Sequence, residues 1–178
     1  MTRYVAFLRA INVGGHVVKM EVLRKLFESM NFARVETYIA SGNVIFESQA
    51  GKTSALEKKI EDQLKSALGY EVGTYLRSIK EVTGIVEAIP FEAPEIERAP
   101  TLQVGFVRAA LNDEEQKLIS SLNDHVHQFR FGAREVFWLC NTKMSESPIR
   151  GDLGARKLLA QATFRNINTV RKIAAKYS

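Results

Sequence analysis

Val5-Ala6-Phe7-Leu8-Arg9-Ala10 forms the first apolar run of the chain, and Val104-Gly105-Phe106-Val107-Arg108-Ala109 repeats its pattern in the second half. Each copy reads as a buried strand whose exit is marked by an arginine. After the first copy, Met20, Leu23, Leu26, Phe27 and Met30 make a helical stripe. Val35-Glu36-Thr37-Tyr38-Ile39 and Val44-Ile45-Phe46 then flank Ser41-Gly42-Asn43, a short turn-rich connection that predicts a hairpin. Ser54 with Glu57 has the spacing of a capping box and opens a helix carrying Leu56, Ile60, Leu64 and Leu68. Val72-Gly73-Thr74-Tyr75-Leu76 closes the half as a strand. The order β-α-β-β-α-β is the ferredoxin-like arrangement.

The second copy is followed by the same sequence of elements. Asn112 and Glu115 cap a helix bearing Leu118, Ile119 and Leu122; Phe129-Arg130-Phe131, a Gly132-Ala133 turn and Val136-Phe137-Trp138-Leu139 predict a second hairpin. No closing strand is legible in this copy, and helices near Leu153–Leu159 and Thr169–Lys176 stand in its place. The expected fold is therefore α+β: two ferredoxin-like (β-α-β-β-α) halves from an internal duplication, with the C-terminal helices packing back. Residues 1–78 form the first half, with its Gly-Gly loop, and 101–178 the second. Between them, 79–100 hold a connecting helix, capped by Ser78 with Glu81, and a linker. There Pro90, Pro94 and Pro100 are expected to keep the acidic segment of Glu87, Glu92, Glu95 and Glu97 out of regular structure.

At 178 residues, 46% hydrophobic and 25% charged, the chain has the composition of a soluble globular protein. No apolar run reaches membrane-spanning length, and Met1-Thr2-Arg3-Tyr4 leads into a strand rather than a signal peptide, so a cytoplasmic protein without a membrane partner is expected. Cys140 is the single cysteine, which excludes an intrachain disulfide, a redox pair and a Cys-rich zinc site. The net charge of +5 is unevenly spread: no acidic residue follows Asp152, while Arg156, Lys157, Arg165, Arg171, Lys172 and Lys176 do. Such a tail attracts phosphates or nucleic acid when it is not simply a solvated helix face.

Several common chemistries fail on spacing. Gly14-Gly15-His16-Val17-Val18-Lys19 lacks the glycine before lysine and the hydroxyl after it that a phosphate loop requires, and no dinucleotide-binding glycine fingerprint is present, so no cofactor is expected. His125 and His127 share a strand face beside Asp124, but two histidines make an incomplete metal site, and no metal is expected. His16, beside the glycine pair, is a candidate base, though a lone loop histidine is more often polar surface. Cys140 follows Trp138-Leu139 on an apolar strand and reads as core. A nucleophile elbow of the Gly-x-Ser-x-Gly type is absent.

Three segments together resemble a bacterial family known only as a domain of unknown function, family 1697. They are Leu8-Arg9-Ala10-Ile11-Asn12-Val13-Gly14-Gly15 (with Met20 and Leu23 following), Thr37-Tyr38-Ile39-Ala40-Ser41-Gly42-Asn43-Val44-Ile45-Phe46, and Thr163-Phe164-Arg165-Asn166-Ile167-Asn168-Thr169-Val170. The resemblance covers nearly the whole chain and implies an α+β fold of two ferredoxin-like halves; it implies no activity. Ala10 stands where the family usually has glycine, Lys19 where proline is common and Ile167 where tryptophan is common. The segment from Lys143 to Gly154 lacks the family's usual Gly-rich, Ser-Lys-containing stretch.

These segments supply the candidate ligand-binding residues Arg9, Asn12, Gly14, Gly15, Ser41, Gly42, Asn43, Arg165, Asn166 and Asn168. Arg9 and Arg165 would bring charge, and Gly14, Gly15 and Gly42 close backbone access, to a small anionic or phosphorylated ligand. Arg165-Asn166 precedes the last helix, whose N-terminus favours anions. The expectation is one polar cleft lined by Arg9, Asn12, Gly14-Gly15 and Arg165-Asn166. One alternative is a nucleic-acid-binding module using its sheet surface and basic tail, although the middle strands lack the basic-Gly-aromatic signature of ferredoxin-like RNA binders. The other gives the asparagines a structural role, satisfying loop backbone and capping helices. No reaction and no oligomeric state are legible.

Overall fold

The computed structural model describes residues 1–39, 42–49, 51–146 and 148–178. The chain divides into two compact units, Met1–Val82 with Tyr177–Ser178, and Thr83–Lys176.

The first unit contains β1 (Thr2–Arg9), α1 (Met20–Ser29), β2 (Ala33–Thr37), β3 (Asn43–Ser48), α2 (Thr53–Leu68) and β4 (Gly73–Ser78). Its sheet is antiparallel with the order β2-β3-β1-β4, the ferredoxin-like order in which the first strand lies at the centre. Tyr4, Ala6, Leu8, Val44, Phe46 and Leu76 alternate onto one face and are covered by Leu23 and Phe27 of α1 and Ile60 and Leu64 of α2. Full burial of such side chains contributes about 1.5–3 kcal/mol each. The opposite face, with Val5, Phe7, Ile45, Tyr75 and Arg77, is buried as well. The C-terminal residue pair returns to this unit: Arg3 donates to the Tyr177 carbonyl (3.0 Å) and the Tyr177 hydroxyl donates to Glu36 (2.8 Å).

The Ser54–Glu57 capping box does not form. Lys52 occupies the N-cap of α2 without a side-chain bond, and Glu57 is buried, its carboxylate accepting the Leu76 N–H at 2.8 Å. Glu61, one turn on, accepts the Thr74 N–H (2.8 Å), and Glu81 accepts the Ser78 N–H (2.7 Å). The N–H groups of alternate residues along edge strand β4 are thus each taken by a glutamate. Such an edge is otherwise a template for unwanted pairing. The Ser78–Glu81 box forms as the sequence predicts, opening α3 (Ile79–Glu87).

The second unit contains α4 (Ala93–Arg98), β5 (Thr101–Phe106), α5 (Asp113–Ser120), β6 (His127–Phe131), β7 (Glu135–Cys140), a single 3-10 turn at Met144–Glu146, α6 (Leu153–Gln161), β8 (Thr163–Asn166) and most of α7 (Ile167–Tyr177). The sheet order β6-β7-β5-β8 repeats that of the first unit. This corrects two expectations. The closing strand is present as β8, only four residues long, with a buried Arg165 that disguises it in an apolar-pattern reading. The acidic Pro-rich segment also forms a helix: Pro94 lies in its first turn, where a missing N–H costs nothing, and Glu92 and Glu95 make a reciprocal capping box. Arg130 holds this segment, donating to both oxygens of Glu95 (3.0 and 2.8 Å) and to the Pro90 carbonyl (2.6 Å), over the ring of Phe91. The Arg130 hydrogen bond, followed by that from the Glu92 N–H, keeps the Glu95 carboxyl below its ordinary range. The Asn112–Glu115 box caps α5 as predicted.

The core of the second unit gathers Ile119, Leu122, Phe129, Val136, Trp138, Ala155 and Leu159. Cys140 belongs to it and is buried. Val104, Phe106, Phe137 and Arg165 are buried on the sheet's other face. His127 is buried too, its Nδ1 accepting the Trp138 indole N–H at 3.1 Å.

Candidate functional site

Where β1 ends at Arg9, Ala10 turns the chain through a left-handed conformation (φ 62°) that favours glycine. Ile11 then folds into the core, while residues 12–17 are exposed. Four interactions fix the loop from within. The Tyr70 hydroxyl donates to the Ile11 carbonyl (2.7 Å), and the Asn12 side-chain oxygen accepts the Val18 N–H (2.9 Å). The His16 N–H reaches the Val13 carbonyl (3.2 Å), and the His16 ring stacks on Tyr70 with centroids 4.0 Å apart and planes at 20°. Burial raises the Tyr70 phenol above its ordinary pKa. Gly14 and Gly15 both have positive φ (64° and 84°), and a Cβ on either would meet nothing within 4 Å. They are required by backbone conformation and stand in open space.

The hairpin joining β2 and β3 reaches the same sheet end. The Leu8 N–H donates to the Gly42 carbonyl (2.8 Å), and a Cβ on Gly42 would lie 2.8 Å from Ile11 Cγ2 and 3.2 Å from Leu8 Cβ. Gly42 has φ 79°, as a tight connection requires. Asn43, fully buried, donates from Nδ2 to the Tyr38 carbonyl (2.9 Å), and the Tyr38 N–H donates to the Asn43 carbonyl (2.9 Å). Ile39 holds φ 59°, a conformation that β-branched residues rarely adopt. Ser41 lies outside the described residues.

The first two motif segments therefore meet within one unit. Asn12, Gly42 and Asn43 are used to hold backbone. Arg9 is exposed, and among the described residues it has no hydrogen-bond or ion-pair partner.

The third segment belongs to the second unit. Arg165 is buried, donating from Nη1 to the Thr163 hydroxyl and the Phe164 carbonyl, both at 2.9 Å. Desolvation lowers its pKa to about 10, which still leaves the guanidinium charged at neutral pH. Asn166 accepts the Asn168 N–H with its side-chain oxygen (2.8 Å), an N-terminal cap for α7; Asn168 is exposed in the first turn. Among the described residues no group of three or more His, Cys, Asp or Glu is placed to hold a metal, and no described helix is long and apolar enough to cross a membrane.

The role of Tyr70 had no local signal in the sequence. It follows Gly69, the left-handed cap that ends α2 (φ 84°), and the cap aims it back at a loop far earlier in the chain.

A family model for proteins of unknown function (DUF1697) matches residues 1–137, and the chain belongs to that family. It is also similar to a solved structure of a conserved bacterial protein from Streptococcus pneumoniae, with 28% identity and a TM-score of 0.77 over 98% of this chain and 97% of that one. No curated protein matches the chain.

Proposed function

We propose that the protein binds a small anionic or phosphorylated ligand at the loop between β1 and α1. The observation that carries this reading is Arg9, an exposed guanidinium without a partner among the described residues, at the base of a loop whose own contacts already hold it in shape. A surface arginine commonly finds a carboxylate; one left open at the base of a loop with exposed glycine backbone is suited to a phosphate, which its planar fork binds through two parallel hydrogen bonds. Gly14 and Gly15 are exposed, and a Cβ on either would meet nothing within 4 Å, so a ligand can approach their backbone closely. Preformed loops of this kind bind with little ordering cost. Arg165, Asn166 and Asn168 are not part of this reading, because Arg165 is buried and Asn166 is engaged in capping.

The nucleic-acid reading is the second choice. Arg156, Lys157, Arg171 and Lys172 are exposed, which supports it. Against it, among the described residues the central strands of both sheets are largely buried on both faces, which leaves those strands little open surface for stacked bases.

Thermal unfolding in increasing phosphate, sulfate and phosphorylated sugars tests the proposal. A midpoint that rises with phosphate in the wild type and stays flat in Arg9→Ala is the expected result. An unchanged rise in Arg9→Ala, or no rise in the wild type, overturns it.

A further inference from the structure

The stacked pair of His16 and Tyr70 forms a ring platform on the loop of the candidate site. We infer that the ligand carries a flat heteroaromatic ring besides its phosphate, and that the ring stacks on the outer face of His16; the substrate class is a nucleoside monophosphate or a small molecule built like one. The inference rests on the phosphate reading above and adds the ring to it.

Tyr70 is fixed at both ends of its side chain: its backbone follows the Gly69 cap, and its hydroxyl is bonded to the Ile11 carbonyl at 2.7 Å. The His16 imidazole lies on it at 4.0 Å and 20°, so one face is occupied by Tyr70 while the residue as a whole stays exposed. A loop side chain that spends its inner face on a fixed tyrosine presents its outer face in a set orientation, without further ordering on binding. Stacking on such a face accepts any base, because each has a π surface. His16 is followed by Val17 and preceded, across the glycine pair, by Val13. Both valines are exposed, at 84% and 57%, which leaves apolar surface on the same loop that an inorganic phosphate would not use. The glycine pair between Val13 and His16 leaves exposed backbone next in sequence to the ring platform, and Arg9 ends the strand from which the loop departs. Phosphate recognition and ring recognition thus fall on one short, preformed segment.

Adenosine 5′-monophosphate, ribose 5-phosphate and adenosine, titrated calorimetrically into the intact protein, separate the two layers of the argument. The wild type should bind the monophosphate on the order of tenfold more tightly than ribose 5-phosphate, the range expected for one stacked base. His16→Ala should erase that preference while leaving ribose 5-phosphate binding unchanged, and His16→Phe should restore it. Arg9→Ala should weaken both phosphates alike. If ribose 5-phosphate and the monophosphate bind equally to the wild type, the ring inference falls and the phosphate reading stands. A preference that survives His16→Ala also overturns the inference, since the ring then stacks elsewhere. If none of the three binds at millimolar concentration, both readings fall. His16 is exposed, so its variants are expected to fold, and an unchanged melting point confirms that they do.

Discussion

At the scale of single residues, the loop-bearing end of the first sheet is set by backbone conformations more than by side-chain chemistry. Ala10 and Gly42 both stand at positive φ, 62° and 79°, but only Gly42 is also tightly packed, against Ile11 and Leu8. Gly42→Ala should therefore destabilise by about 1–3 kcal/mol, combining left-handed strain with an unavoidable clash. Ala10→Gly should do the reverse and stabilise by up to about 1 kcal/mol, because it removes strain where the residue is exposed. Denaturant midpoints of the two variants check this pair; equal midpoints for Gly42→Ala and wild type would show that the hairpin can move to relieve the contact. The conformation at Gly42 was legible in Ser41-Gly42-Asn43, since a short turn between apolar strands leaves few alternatives. That at Ala10 was legible only through resemblance to a family that usually has glycine there. The burial of Arg165 was not legible: in sequence, an arginine before a helix looks the same whether it faces solvent or lies on a sheet.

At the scale of elements, periodic apolar stripes located α1, α2 and α5 correctly, and local caps at Ser78 and Asn112 behaved as their spacing required. Where structure and sequence pattern differ, either a distant partner overrides a local pattern or the element is too short to show one. Ser54 with Glu57 has capping-box spacing, yet Glu57 turns inward to the edge of β4, a strand that the helix meets only after folding. Strand β8 is short enough that its apolar alternation cannot be told from loop, and Arg130 organises the acidic segment from across the second unit. The glutamate ladder on β4 gives a direct test. Glu57→Ala leaves the buried Leu76 N–H without its acceptor and should cost about 1–3 kcal/mol, while Glu57→Gln retains a side-chain oxygen at the same reach and should lose less. Equilibrium unfolding in urea discriminates them, and an Ala variant as stable as the wild type would mean that the strand edge finds water or another acceptor.

At the scale of the whole molecule, the two units are copies whose equivalences follow from strand register. Val5 pairs with Ile45 and Arg77, and Val104 with Phe137 and Arg165, so the buried arginines Arg77 and Arg165 are counterparts. Each donates to the carbonyl of its preceding residue, Leu76 or Phe164. Ala6 corresponds to Gly105, where the ring of Phe164 takes the space a Cβ would need, 2.6 Å from the nearest ring carbon. Leu8 and Val107 donate in the same way to the Gly42 and Arg134 carbonyls, which makes Arg9 and Arg108 equivalent strand-end arginines, as the repeated hexapeptide predicts. The copies diverge after these arginines. The first continues through residues 10–19, with two left-handed glycines and the His16–Tyr70 stack; the second passes to α5 through residues 107–112 with no glycine at all. The longer, glycine-bearing loop is thus particular to the first unit, where the proposed anion site lies. Arg9→Ala and Arg108→Ala, both at exposed positions, make the comparison direct. Both variants should unfold within about 0.5 kcal/mol of the wild type, as surface substitutions usually do. Only Arg9→Ala should lose phosphate-dependent stabilisation. Equal loss in the two variants would place the anion effect in general surface charge, and loss in Arg108→Ala alone would move the site to the second unit.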